Sequence, residues 1–387
     1  MSRIRLLSES TVNRIAAGEV IERPAAAVKE LVENALDAGA TRIAVCLDGG
    51  GIDRLEVTDN GIGMSADELA LCVLRHATSK LADETLVRIT TLGFRGEALP
   101  SIGAAARLRI TSRPNGRPAG AAPGTADDAD HANVISVEGG HVSAVAPTAG
   151  AAGTRVVVRD LFFATPARRK FLKSPRIEAE HAEAVVRRLA LSAPAVAFRL
   201  ELDGRVVFEA PAQERIERVA ALVGAEAAAV MLPVQEEREG VRISGYICSP
   251  SVTRATPVGQ TLIVNARPVA DPVLRVAVKV AYRDVIAAGR HAIVALYLDV
   301  PPDELDVNVH PAKTELRFRD PAGVRSLVIG SVRRALGVGT GQVVPMPGPG
   351  PGWTAAFASR SGRPSHAAPP MAMSLSPPPG ALPQGAF

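Results

Sequence analysis

The sequence predicts a mixed α+β protein with a larger helix-and-strand part, a smaller mixed part and a tail. Three observations predict it. Up to about Asp203 the apolar residues switch repeatedly between the helical period and the alternation of strands. Between Ala210 and Gly337 three strand-like runs and a helical one recur, and from Val338 the composition collapses into Pro, Gly, Ala and Ser, with only Arg360 and Arg363 charged. Such a tail buries too little apolar surface to offset the entropy of ordering it, so a disordered linker is expected. The expected parts are residues 1–209, 210–337 and 338–387.

The first element is the helix of "AAAVKELVENALDAG", ended by Gly39 just past its cap. At about 100° per residue Glu30, Glu33, Asn34 and Asp37 gather on one side, with Val28, Leu31, Val32, Ala35 and Leu36 on the other. Acids three or four residues apart repel by a few tenths of a kcal/mol per pair. With no basic residue among them in the segment, the stripe calls for an outside counter-charge. "TRIAVCLDGGGIDRLEVTDNG" reads as two strands joined by a glycine turn. Ser65 and Glu68 form a capping box for a helix through "LALCVLRHA". "GTRVVVRDLF" is a strand, "RIEAEHAEAVVRRLALSAP" a long amphipathic helix, and "AFRLELDGRVVFEAP" a hairpin turning at Asp-Gly. In the smaller part "VRISGYICSP", "QTLIVNARPV" and "AIVALYLDVP" read as strands, with "PVLRVAVKVAYRDVI" helical between the last two.

Composition narrows the function. The chain has 387 residues, 47% of them hydrophobic, and no apolar run near the roughly 20 residues of a membrane span. "MSRIRLLSES" lacks the apolar core and cleavage site of a signal peptide, so a cytoplasmic location without membrane contact is expected. Cys46, Cys72 and Cys248 include no CxxC pair, which argues against structural zinc and a disulfide framework. A net charge of +4 is compatible with nucleic-acid binding without establishing it.

Four strings bear chemistry. In "DNGIGM", Asp59 ends a strand and Gly61 and Gly63 follow, so the backbone can lie against a planar ligand while the carboxylate accepts from an amino group such as that of adenine. Alone it reads equally as a plain loop. "TLGFRGEALPSIG" has the composition of a loop whose amides hold phosphate oxygens at a helix start. The chain contains no Gly-Lys pair and no H-E-x-x-H, which removes P-loop NTPases and the commonest zinc hydrolases. "RHATSK" sets hydroxyls and a cation after a helix, suiting either a phosphate-contacting lid or ordinary C-terminal capping. "TPARRKFLKSPR" crowds Arg168, Arg169, Lys170, Lys173 and Arg176, either a phosphate patch or a solvated face.

In this order and spacing, "IAAGEVIERPAAAVKELVENALDAGAT", "DNGIGM", "RHATSK", "GFRGEALPSI", "GTRVVVRDLFFATPARRKFLK" and "NVHPAKTELRF" resemble the amino-terminal ATPase portion of the MutL/HexB mismatch repair family, in the GHKL ATPase superfamily. "GFRGEAL" and "TPARRKFL" separate this family from gyrase, Hsp90 and histidine kinases, which share the Glu/Asn helix and the D-x-G-x-G turn. The resemblance implies a two-layer α/β sandwich of the GHKL (Bergerat) type and a ribosomal S5 domain 2-like second domain. It implies ATP and Mg²⁺ as cofactors. By it Glu30 matches the general base and Asn34 the Mg²⁺ ligand; Asp59 matches the adenine reader, with Gly61 and Gly63 allowing close approach. Thr78, Ser79 and Lys80 match lid contacts to phosphate, and Gly93, Phe94, Arg95, Gly96, Ala98 and Leu99 the triphosphate loop. Thr154 matches the last nucleotide motif, Lys313 a lysine that reaches the γ-phosphate, and Arg267 an arginine that contacts DNA.

The function implied is a slow ATP-driven conformational switch in DNA mismatch repair. Its partners would be DNA bound without sequence preference, a MutS-type mismatch-recognition protein, a downstream nuclease or helicase, and a second copy of the amino-terminal region joined in the presence of ATP. The location implied is cytoplasmic and nucleoid-associated. Two departures stand out: Ala164 replaces the family's usual Asn in "FFATPAR", and the carboxy-terminal domain, with the D-Q-H-A endonuclease motif of many members, is missing from this sequence. An Hsp90-like chaperone clamp and a non-hydrolysing DNA-binding fragment are the rival readings.

Overall fold

The computed structural model describes residues 20–80, 91–93, 96–115, 131–306 and 316–337. Its first helix, α1 (Pro24–Asp37), begins on a proline, whose fixed φ suits a first turn, and gives way past Ala38 to Gly39 at φ 70°. Val28, Leu31 and Val32 are at most 3% exposed, and burying each contributes roughly 1.5–3 kcal/mol.

The strands β1 (Arg42–Asp48) and β2 (Arg54–Asp59) pair antiparallel across a glycine turn, as expected. The Ser65/Glu68 capping box forms, but its helix, α2 (Ala66–Leu71), is shorter than the pattern suggests. Leu71 and Leu74 are 54% and 48% exposed, so of the next turn only Val73 enters the core, at 5% exposure, and His76 at φ 63° leads the chain out of helix. Next come α3 (Ala98–Ala105), β3 (Arg107–Arg113), β4 (Ala132–Glu138), β5 (His141–Val142), β6 (Ala146–Thr148) and β7 (Gly153–Arg159). The short α4 (Pro166–Arg169) precedes the long α5 (Pro175–Ser192). β8 (Ala197–Leu202) and β9 (Arg205–Ala210) turn at Asp203 and Gly204, both with positive φ, as an Asp-Gly hairpin requires.

These strands form one mixed sheet ordered β5-β4-β3-β7-β2-β1-β8-β9, with β6 added beside β4. All pairs are antiparallel except β1 with β8, which α5 connects back. Side chains alternate. Val45, Leu55, Val57, Leu108, Ile110 and Val158 enter the core beneath α1, α3 and α5, while Arg54, Arg107, Arg109, Arg155 and Arg159 point to the other face. The result is the expected two-layer sandwich.

After α6 (Arg215–Val223) and α7 (Ala225–Ala228), a second sheet is built from β10 (Met231–Arg238), β11 (Val241–Cys248), β13 (Gln260–Val264), β14 (Arg267–Val269) and β16 (Val294–Asp299). β12 (Thr253–Arg254) and β15 (His291–Ala292) pair apart from it. α8 (Pro272–Tyr282) and α9 (Pro321–Ala335) bury Leu274, Val278, Leu327 and Val328 with the sheet's Ile243, Leu262 and Leu296.

"QTLIVNARPV" is not the single strand expected but the hairpin of β13 and β14. Asn265 and Ala266 turn it at φ 48° and 62°. The Asn265 side chain pays for its strained backbone by bridging the N–H and C=O of Val300, both at 2.9 Å. The sequence lacks the Asn-Gly signal that marks such turns. Both sheets belong to one compact unit, and Tyr297 of β16 donates its hydroxyl to the Leu191 carbonyl of α5 at 2.9 Å. No helix among the described residues is long and apolar enough to cross a membrane.

Candidate functional site

A cavity of about 810 Å³, within the range of small-molecule sites, opens between α1, the turns after α2 and the start of α3. Glu30 and Asn34, one helical turn apart, line it with Asp37. Asp59 and Thr154, directly paired across β2 and β7, line its floor. Thr78, Ser79 and Lys80 line it from one segment and Gly93, Gly96, Ala98 and Leu99 from another. Two segments remote in sequence meet at Gly96, where φ is 61° and a side-chain Cβ would lie 2.5 Å from the Ala77 carbonyl oxygen. Gly63 is likewise required: φ is 69° and a Cβ would strike the carbonyl of Arg113.

The counter-charges to the acidic stripe are now visible. Lys29, immediately before Glu30, reaches Glu30 at 3.4 Å and Glu33 at 2.8 Å, so the expectation that no base lies among these acids is corrected. Glu33 is fully buried, whereas Glu30, Asn34 and Asp37 face the cavity. Lys80 Nζ lies 2.7 Å from Asn34 Oδ1 and 2.6 Å from Asp37 Oδ2. An amide oxygen that already accepts an ammonium suits a hard cation such as Mg²⁺, which prefers oxygen ligands and takes few of them from protein.

Asp59 is held by local bonds. Its Oδ1 accepts the Gly61 N–H at 2.8 Å, so Gly61 serves the carboxylate, while Asn60 turns away to accept the N–H groups of Thr41 and Arg42 at 2.9 and 2.8 Å. Burial pushes the Asp59 carboxyl above its ordinary value, against the opposing pull of the Gly61 and Thr154 amides. Ser112, 1% exposed and not singled out by the sequence, ties the floor together. Its hydroxyl lies 2.9 Å from Thr154 Oγ1, donates to the Gly153 carbonyl at 3.1 Å and accepts the Met64 N–H at 2.9 Å. Only the alternation of β3 could have marked it.

Other expected residues fall elsewhere. Phe94, Arg95 and Lys313 lie outside the described residues. Arg169 and Lys170 are exposed on and beside α4, with Phe171 82% exposed, while Arg168 donates to the Ile21 carbonyl at 3.0 Å. Arg267, expected to contact DNA, is only 4% exposed. Its guanidinium donates to the carbonyls of Leu92 and Thr91 at 2.9 and 3.1 Å, so in this arrangement it faces the loop at the cavity's edge and no open surface.

The sheet layered beneath helices, the Glu/Asn helix and the glycine turns on one cavity define an ATPase-type domain of the class shared by histidine kinases, gyrase and Hsp90. A family model described as "Histidine kinase-, DNA gyrase B-, and HSP90-like ATPase" matches residues 21–137, and one described as "DNA mismatch repair protein, C-terminal domain" matches residues 219–337. The DNA mismatch repair protein MutL of Acidiphilium cryptum is 59% identical over 333 residues, 86% of this chain and 55% of that protein. The MutL of Paramagnetospirillum magneticum is 52% identical over 339 residues, 86% of this chain and 54% of that protein. The ADP complex of the Aquifex aeolicus MutL ATPase domain superposes with a TM-score of 0.56 at 25% identity, covering 84% of this chain and 100% of that one. The crystal structure of the N-terminal domain of a DNA repair protein does so with a TM-score of 0.70 at 25% identity, covering 84% of this chain and 98% of that one. The chain belongs to the MutL family of DNA mismatch repair proteins, and it spans about half the length of the curated relatives it matches.

Proposed function

We propose that the cavity binds ATP with Mg²⁺ and hydrolyses it slowly, and that the nucleotide state sets the conformation of a mismatch-repair switch. The observation that carries this reading is the convergence of Glu30, Asn34, Asp59 and Lys80 on one cavity. Adenine sits over the β2–β7 floor and donates its amino group to Asp59. The phosphates lie toward Lys80 and the start of α3, where free N–H groups and the helix dipole favour anions. Glu30 holds a water and takes its proton as that water attacks the γ-phosphate. Mg²⁺, held by Asn34, would neutralise charge on the phosphate oxygens. Lys313 is given contact with the γ-phosphate by the family resemblance.

In this reading residues 1–209 are the ATPase domain, residues 210–337 a transducing domain and residues 338–387 a linker. Two copies associate when ATP is bound and grip DNA through Arg168, Arg169 and Lys170. The switch signals between a MutS-type protein and a downstream nuclease or helicase.

Sizing the purified chain with and without a non-hydrolysable ATP analogue tests the switch. Association only with the analogue is expected, and an unchanged size overturns it. DNA affinity should fall steeply with salt, with a log–log slope near −0.9 per phosphate neutralised on duplex. A flat response removes the basic patch from the reading.

The raised Asp59 carboxyl predicts the pH dependence of binding. As pH falls from neutral, this group takes up a proton above the ordinary aspartate range, and its protonated form no longer accepts from adenine as a carboxylate. ADP affinity should therefore decline on acidification earlier than an ordinary Asp would allow, and Asp59→Asn should flatten that limb. An identical limb in the variant assigns it to another group. On folding the sign reverses: ionised, buried Asp59 costs stability at neutral pH, and protonation relieves the cost.

A further inference from the structure

We propose that Arg267 and Asp37 are a pair of positioning residues that clamp the loop Thr91–Gly93 from opposite sides, so that the nucleotide cavity reads the placement of the second sheet. The inference rests on the ATP reading only for its consequence, since the clamp itself is a matter of geometry. Arg267 donates to the carbonyls of Leu92 and Thr91 at 2.9 and 3.1 Å. On the other side the Leu92 N–H donates to Asp37 Oδ1 at 2.8 Å and the Gly93 N–H to Asp37 Oδ2 at 2.9 Å.

The Thr91 carbonyl and the Leu92 N–H belong to one planar peptide, and the Leu92 carbonyl and the Gly93 N–H to the next. Two consecutive peptides therefore bridge a buried cation and a carboxylate, each dipole aligned with the field between them. Hydrogen bonds with an ionised partner are the stronger kind, and bonds arranged head to tail polarise one another.

Each end is anchored in a different part of the molecule. Asp37 closes α1, one turn past Asn34, and also holds Lys80. Arg267 begins β14, on the edge of the second sheet, immediately after the turn that Asn265 pins to Val300. A shift of the β13–β14 hairpin would withdraw two donors from the loop that lines the phosphate end of the cavity. The clamp also gives Asp37 a role and accounts for the burial of Arg267.

Amide hydrogen exchange in the nucleotide-free chain tests the clamp independently of ATP. Arg267→Ala and Asp37→Asn should each speed exchange of the Leu92 and Gly93 amides about tenfold or more, with β1 and β2 unchanged. The double variant should fall short of the product of the two effects, because the side chains do not touch and only the shared peptides couple them. Arg267→Lys, with one ammonium for two carbonyls, should rescue part of the effect. ADP affinity should fall roughly tenfold in Arg267→Ala. Unchanged exchange at Leu92 and Gly93, or strictly multiplicative effects, overturns the clamp; so does an Arg267→Ala variant that loses DNA affinity while keeping wild-type exchange and ADP binding. A wild-type chain that binds no ADP overturns the ATP reading instead, and the exchange data still decide the clamp.

Discussion

Glu30→Gln should lower ATP turnover by a factor on the order of 10² to 10⁴, the usual contribution of a positioned general base, while ADP and ATP-analogue affinities stay within a few-fold of wild type. Glu30 and Asn34 are one turn apart on α1 and both line the cavity, yet their tasks are separable. Glutamine keeps the shape and the hydrogen bonding of Glu30 but cannot take a proton. Asn34→Ala, by contrast, removes the oxygen proposed to hold Mg²⁺ and should weaken nucleotide binding itself. The measurement is single-turnover hydrolysis beside equilibrium binding, which separates chemistry from affinity. Undiminished turnover in Glu30→Gln removes Glu30 from the base role.

The parts of the cavity are local signals, a helix with a polar stripe and turns of glycines, each ambiguous alone; what joins them in the sequence is their order and spacing, through the family resemblance. Gly63 and Gly96 were visible as glycines before Arg113 and Ala77 were known to crowd them. What sequence did not show depends on contacts between distant segments. Asp37 looked like one more acid on a stripe, because its partners Leu92, Gly93 and Lys80 lie more than 40 residues away. Arg267, matched by the resemblance to an arginine that contacts DNA, is instead swung inward by the Asn265–Ala266 turn, which carries no glycine to mark it in the sequence. The early end of α2 was hidden for a different reason: the helical period continues through Leu74, but Leu71 and Leu74 stay exposed and only Val73 is buried there, too little packing to hold another turn.

Arg218 has the same character and the larger consequence for folding. Arg218→Met should destabilise the protein by on the order of 3–5 kcal/mol, because it removes one cation from a ring of buried oxygens that stay behind. The side chain is 0% exposed. It donates to the carbonyls of Ala190, Pro194, Val196 and Pro211 at 2.7, 3.0, 2.8 and 2.6 Å, and to Gln213 Oε1 at 3.1 Å. Ala190 is in the last turn of α5, where carbonyls lack helical partners and a cation is favoured by the dipole. Pro194 and Val196 lead into β8, and Pro211 follows β9, so a single guanidinium joins the end of the long helix to the last hairpin of the first sheet. From α6 it reaches back across the point where the chain leaves for the second sheet. Burial pushes its pKa down to about 10, which leaves it charged at neutral pH. Only a guanidinium has five N–H donors in a fixed fork, so Arg218→Lys should recover less than half of the loss. Urea unfolding checks this: the midpoint should fall with the slope unchanged. A loss below about 1 kcal/mol would mean that water satisfies the orphaned carbonyls and that Arg218 does not lock this junction.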